Sequence, residues 1–234
     1  MISTRKQLPR PKGISHTHLL QCTMLLLFIL FSNSMVAQIR FGVVAHPQYT
    51  WMASETADVT NRSGKIGFNG GLILEKYFAE NYALMSGITI SVQGGKLSYE
   101  DTLHYVVNDA QVRILPETKL DYSLQYVQIP LGLKLKSNEI GYTTFFANLG
   151  FTAGINIKAR LKDSEKQIQD ENISEEIKLF DLGYHFGGGI EYSLGGNTSI
   201  LAGITFVNGF VDVTGRNEDK ISLKNISLRM GILF

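Results

Sequence analysis

Residues 142–160, YTTFFANLGFTAGINIKAR, alternate with a period of two. Phe145, Ala147, Leu149, Phe151, Ala153, Ile155, Ile157 and Ala159 form one face, and all are apolar. Thr144, Phe146, Asn148, Gly150, Thr152, Gly154, Asn156 and Lys158 form the other, where every residue but Phe146 is polar or glycine. Successive side chains of a strand point to opposite faces, so this is a β-strand with two unlike sides. It is longer than the ~9–11 residues with which a tilted strand crosses a bilayer.

The pattern recurs. Val127, Ile129, Leu131, Leu133 and Leu135 alternate with Gln128, Pro130, Gly132, Lys134 and Lys136. Residues 180–192 set Phe180, Leu182, Tyr184, Phe186, Ile190 and Tyr192 against Asp181, Gly183, His185, Gly187, Gly189 and Glu191. The last strand sets Ile226, Leu228, Met230, Ile232 and Phe234 against Asn225, Ser227, Arg229 and Gly231. Segments 39–52, 66–78, 82–99 and 198–211 bring the expected strands to eight. Residues 163–178 are charged enough to form at most a short loop helix.

The connections alternate in length. Short ones fall at 79–81, 138–141 and 194–197, and long polar ones at about 53–65, 100–119, 161–178 and 212–220. Short turns on one rim and long loops on the other describe an up-and-down meander. The expected fold class is all-β: an eight-stranded antiparallel transmembrane β-barrel with short periplasmic turns and long extracellular loops.

Alternation alone does not say which face points in. Three features favour polar-in, apolar-out. The strands are long enough to span. Glycines crowd the polar face, which suits the narrow interior of eight strands. Tyr82, Tyr142, Tyr192 and Phe234 flank the short-turn rim like an interfacial girdle. Lys134 and Lys136 then face a polar lumen or its rim. Pro130 removes a ladder donor where a closed barrel has no free edge; a local bulge would be a remedy, but the sequence shows none.

Residues 1–37 read differently. Arg5, Lys6, Arg10 and Lys12 precede the apolar run 19–31, and the small residue Ala37 precedes Gln38. This is the layout of a cleaved signal peptide, leaving 38–234 as the barrel domain. Cys22, the chain's one cysteine, lies in the apolar run, so 38–234 carries no disulfide. Without those four cations, 22 basic residues become 18 against 21 acidic ones, a net of −3. No basic patch interleaved with aromatics points to nucleic acid.

Four stretches carry a family resemblance. YVQIPLGLKLK (126–136) is similar to an aromatic-x-[EQ]-I-P-L-x-L-K signature. SVQGGKL (91–97), FFANLGFTAG (145–154) and ISLRMGILF (226–234) resemble further strands of the same family. That family is the small outer-membrane β-barrel domain family, often labelled porin-family or PorT-family proteins. The resemblance implies a barrel of the OmpX or OmpA transmembrane type. The position where the family often carries an inward arginine, four residues before Gly209, is Thr205 here.

For function, the expected lumen network comprises Gln128, Lys134, Asn148, Lys158, Asp181, His185, Glu191 and Arg229. Buried charges need partners, so Asp181, His185 and Glu191 are expected to pair with Lys134, Lys158 or Arg229. Asp181 and His185, four apart on a strand, are about 13 Å apart and cannot bond directly. No nucleophile motif accompanies them, and His46, His104 and His185 lack metal-ligand spacing. No enzyme, catalytic residue, metal or cofactor is expected. Phe234, Ile232 and Met230 form an assembly signal for the barrel insertion machinery. The leading reading is a non-enzymatic outer-membrane barrel, envelope-structural or acting through its external loops, with a lumen closed to large solutes. Its partners would be outer-membrane lipid, secretion-system components or external ligands. The alternatives are a PorT-like accessory of a protein secretion system and a soluble secreted lipocalin-like carrier.

Overall fold

The structure, a computed structural model, describes residues 38–54, 58–107, 110–164, 169–215 and 220–234, with side chains 104–111 and 169 left aside. The expected signal peptide, 1–37, lies outside the described residues. Twelve strands follow in order: β1 (Ile39–Ser54), β2 (Val59–Ser63), β3 (Lys65–Ala79), β4 (Tyr82–Tyr99), β5 (Leu103–Val107), β6 (Ala110–Ile114), β7 (Leu120–Lys136), β8 (Thr143–Asp163), β9 (Gln169–Asn172), β10 (Phe180–Gly195), β11 (Thr198–Gly209) and β12 (Ile221–Leu233). Eight of them, in the order β1-β3-β4-β7-β8-β10-β11-β12, pair antiparallel with their neighbours, and β12 returns to β1. The barrel is closed, which removes the unpaired edge that lipid would not tolerate. At the seam the Phe41 and Phe234 backbones exchange hydrogen bonds in both directions.

The outward face is apolar. Phe41, Phe68, Leu84, Leu131, Phe151, Ile204 and Leu228 are all more than half exposed or at that mark, while Thr152, Gln128 and Arg229 are buried. In water this arrangement would be untenable for a soluble carrier, which needs the apolar face inside. In lipid it is the expected inversion. Tyr82, Tyr142, Tyr192 and Phe234 stand exposed at the short-turn rim, with Tyr142 and Tyr192 ring centroids 6.1 Å apart. The turn after β10 needs its glycines: Gly195 and Gly196 have φ of 100° and 60°, where a side chain would be strained.

Two findings depart from the sequence reading. The first is a bulge in β8. Tyr126 faces Asn156 while Gln125 faces Lys158, leaving Ile157 without a partner on β7. The extra residue shifts the face by one position. Asn156 points in before it, and Ala159 and Leu161 point in after it. Lys158 is therefore exposed on the outside rather than in the lumen, and Ala159 is buried rather than lipid-facing. The second is Pro130, which has no bulge beside it. The β4–β7 pairs Ser86–Leu131 and Thr89–Gln128 keep one register, with the pairing at Gly87 and Ile88 interrupted between them. The missing proline donor is absorbed by a gap in the ladder.

Strands also run further outward than expected. β7 begins at Leu120, β8 runs for 21 residues, and β2 and β9 pair with β4 and β8 beyond the lipid band. Among the described residues, the 163–178 loop holds β9 and one short 3-10 turn, Ser174–Glu176.

Candidate functional site: a lumen closed in layers

The interior of the barrel divides into three levels. Toward the periplasmic rim lies a charged cluster whose ion pairs join strands that are not neighbours. Lys134 Nζ on β7 donates to Glu75 Oε1 on β3 at 2.5 Å and also pairs with Glu191 on β10. Glu191 accepts in addition from Arg40 Nη1 and Lys136 Nζ, each at 3.0 Å. Tyr77 Oη donates to Glu75 Oε2 at 3.0 Å. Lys134 and Glu75 are wholly buried. Each side chain reaches this level because it occupies the inward phase of its strand, as Ile73, Glu75 and Tyr77 do on β3.

Phe146 sits against this cluster, which explains the one apolar residue on the polar face of β8. Lys134 Nζ lies 5.0 Å and the Arg229 guanidinium 5.9 Å from its ring centre. A cation over an aromatic face is attracted by the ring quadrupole, more strongly where water is excluded.

The extracellular end is the reverse in character. Met52, Leu97, Leu120, Tyr122, Leu124, Tyr126 and Leu161 are fully buried there, joined by Ile173 and Ile177 from the loop and by Leu223. Tyr99 and Tyr122 hydroxyls meet at 3.1 Å. This apolar core fills the interior above the lipid band. Its outer wall is polar, with ion pairs Lys65–Asp121 at 2.6 Å and Lys178–Asp212 at 2.7 Å. The upper half of the barrel thus has soluble-protein polarity.

Between the two lies a polar cavity reached by His46, Asn69, His185, Thr205 and Arg229. Of the residues expected in the lumen network, Lys134 and Glu191 join the charged cluster. Gln128 accepts from Asn69 Nδ2 at 2.9 Å. With its amide placed to satisfy both groups, Asn148 donates to the Gly187 carbonyl at 3.1 Å and accepts from Arg229 Nη1 at 2.9 Å. His185 Nδ1 is 2.9 Å from the Thr152 hydroxyl and meets neither Asp181 nor Glu191. Asp181 is buried without an ion pair among the described residues. Lys158 is outside. Arg40 and Glu75 complete the cluster and were not singled out by sequence, and Lys136 joins it beside Lys134. The signal was there for Glu75, a charge in phase with Ile73 and Tyr77, and for Arg40, the lone charge in an apolar run. Met230, Ile232 and Phe234 lie outward on the closing strand.

Among the described residues no group of three or more His, Cys, Asp or Glu is placed to hold a metal ion.

An apolar outer belt, a polar lumen and a closed ring of eight long strands define a small transmembrane barrel of the outer membrane. The chain belongs to the outer membrane protein beta-barrel domain family, whose sequence profile matches residues 31–219. No curated protein matches the sequence. Solved structures similar to it include neisserial surface protein A, at 13% identity over 82% of this chain and 95% of that one, with a TM-score of 0.47. The attachment invasion locus protein Ail of Yersinia pestis is 15% identical over 83% of this chain and 98% of its own, with a TM-score of 0.41. OprG from Pseudomonas aeruginosa is 10% identical over 83% and 95%, with a TM-score of 0.45.

Proposed function

We infer that this protein is a non-enzymatic barrel of the outer membrane that acts from its extracellular surface and carries no large solute through its lumen. The observation that supports this reading is double closure. The Glu75–Lys134–Glu191 cluster blocks the periplasmic half, and the apolar core around Tyr122 and Tyr126 fills the extracellular half. Eight strands leave an interior that side chains can fill completely. What is left to meet a partner is the rim above the lipid, built by β2, β9 and the β5–β6 hairpin. The girdle and closing strand, with Phe234, Ile232 and Met230, serve insertion into the membrane.

The test is complementation of a deletion strain, scored by growth in bile salts, by surface adhesion and by export of secreted proteins. A barrel with residues 100–119 trimmed to a short turn should assemble yet leave the deletion phenotype in place. Full restoration by the trimmed barrel would move the function from the loops to the barrel wall. An export defect restored by the trimmed barrel would favour a secretion accessory instead.

A further inference from the structure

The middle cavity holds a buried cation with no carboxylate of its own. Arg229 is 4% exposed. Its guanidinium has no carboxylate oxygen within ion-pair distance among the described residues, because Lys134, Arg40 and Lys136 take Glu191, and Lys134 and Tyr77 take Glu75. Arg229 Nη2 meets only the Met85 sulfur, at 3.0 Å, Nη1 meets the Asn148 amide oxygen, and Nε has no partner. A guanidinium removed from water without a counter-charge is costly.

The cavity wall holds further unpartnered polar atoms, donors among them, beside the acceptor oxygens of Asn69 and Asn225. Thr152 can donate to His185 Nδ1, which leaves Nε2 as an N–H donor, and that atom is buried without a partner. The Thr205 hydroxyl is likewise unpartnered. The space they share exists because glycine stands on the inward phase. A Cβ at Gly187 would come within 2.8 Å of Thr205 Oγ1, and one at Gly132 within 3.0 Å of His185 Nε2. About 60 Å³ of the cavity is open to the centre of a water molecule. One water needs roughly 10–15 Å³ by that measure, so a small anion fits with water to spare.

We propose that this cavity is a binding site for a small inorganic anion of the halide or nitrate class, held by Arg229 with donors from His185 and Thr205. The anion supplies in contact the charge that Glu75 and Glu191 supply only from beyond ion-pair distance. It lies between the charged cluster and the apolar core. The site is independent of the barrel's role at the cell surface.

The test refolds the purified protein in detergent with sodium bromide replacing sodium sulfate at fixed ionic strength, and follows the thermal unfolding midpoint. The midpoint should rise with bromide and, above the dissociation constant, keep rising with the logarithm of its concentration, as for any ligand that binds only the folded state. In Asn148→Asp, whose carboxylate would lie beside Arg229 Nη1 and stand in for the anion, the bromide response should be lost. Crystals of the unaltered protein grown in bromide should give an anomalous peak against Arg229, a readout that does not depend on the variant folding. No rise, an equal rise in Asn148→Asp, or a cavity holding water alone in the bromide crystals would each overturn the proposal.

Discussion

Lys134 Nζ on β7 and Glu75 Oε1 on β3 lie 2.5 Å apart although β4 stands between their strands. The bond spans the strand between them, and with the Lys134–Glu191 pair it links β3 to β10, four places away round the ring. Both side chains have no exposure, so neither can recover its hydration if the other is removed. Breaking such a pair from one side costs about 3–5 kcal/mol, because a buried charge is left unmatched.

Lys134→Met should therefore destabilise the barrel by about that amount, read by urea unfolding in micelles or vesicles. Glu191 keeps Arg40 and Lys136, so the stranded group is Glu75. Adding Glu75→Gln to Lys134→Met should restore much of the loss. If the two losses simply add, the residues are not coupled and the cluster has been misread.

Lipid facing is tested one residue apart. Phe151 is 60% exposed on the outside and Thr152 lines the cavity. Phe151→Lys should cost about 2–4 kcal/mol in a bilayer if it sits near the midplane. Thr152→Ser should cost far less, because the hydroxyl that meets His185 is retained. Equal losses in bilayer unfolding would place the lipid face elsewhere.

The β8 bulge gives a sharper test of register. Deleting Ile157 removes the unpaired residue and leaves regular alternation, with Asn156, Ala159 and Leu161 still inward. The deletion should fold to a heat-modifiable barrel of the usual mobility. Deleting Ile129 from β7, where no bulge can absorb the change, should abolish that band, since a one-residue slip moves every side chain beyond it to the wrong face.

The same bulge explains where sequence reading stopped. Strict alternation carried Lys158 into the lumen and Ala159 onto lipid, since a single inserted residue leaves no mark in a period-two pattern. The inner half of the barrel was legible because lipid and lumen impose opposite demands on alternate residues. Above the lipid the demands reverse: Leu120, Tyr122 and Leu124 point into an apolar core and polar residues point out. The alternation read in the sequence therefore begins only at Val127, seven residues after β7 starts at Leu120. Lys134 with Glu191 was within reach of pattern reasoning. Asp181 was not, because which inward charge meets which is set by strand stagger around the ring.

Assembly is expected to depend on the closing strand. Phe234 is 54% exposed and adds little packing, yet its backbone pairs with Phe41 at the seam. Deleting Phe234 should lower the membrane-integrated fraction in cells more than it lowers stability after refolding in detergent. Normal insertion by the truncated protein would make Phe234 a girdle residue only.

Conductance in planar bilayers tests the central claim most directly. Purified protein inserted under voltage should show no stable, large channel, because the Glu75–Lys134–Glu191 cluster and the apolar core each fill the lumen at their own level. Steady openings of general-porin size from the monomer would contradict it.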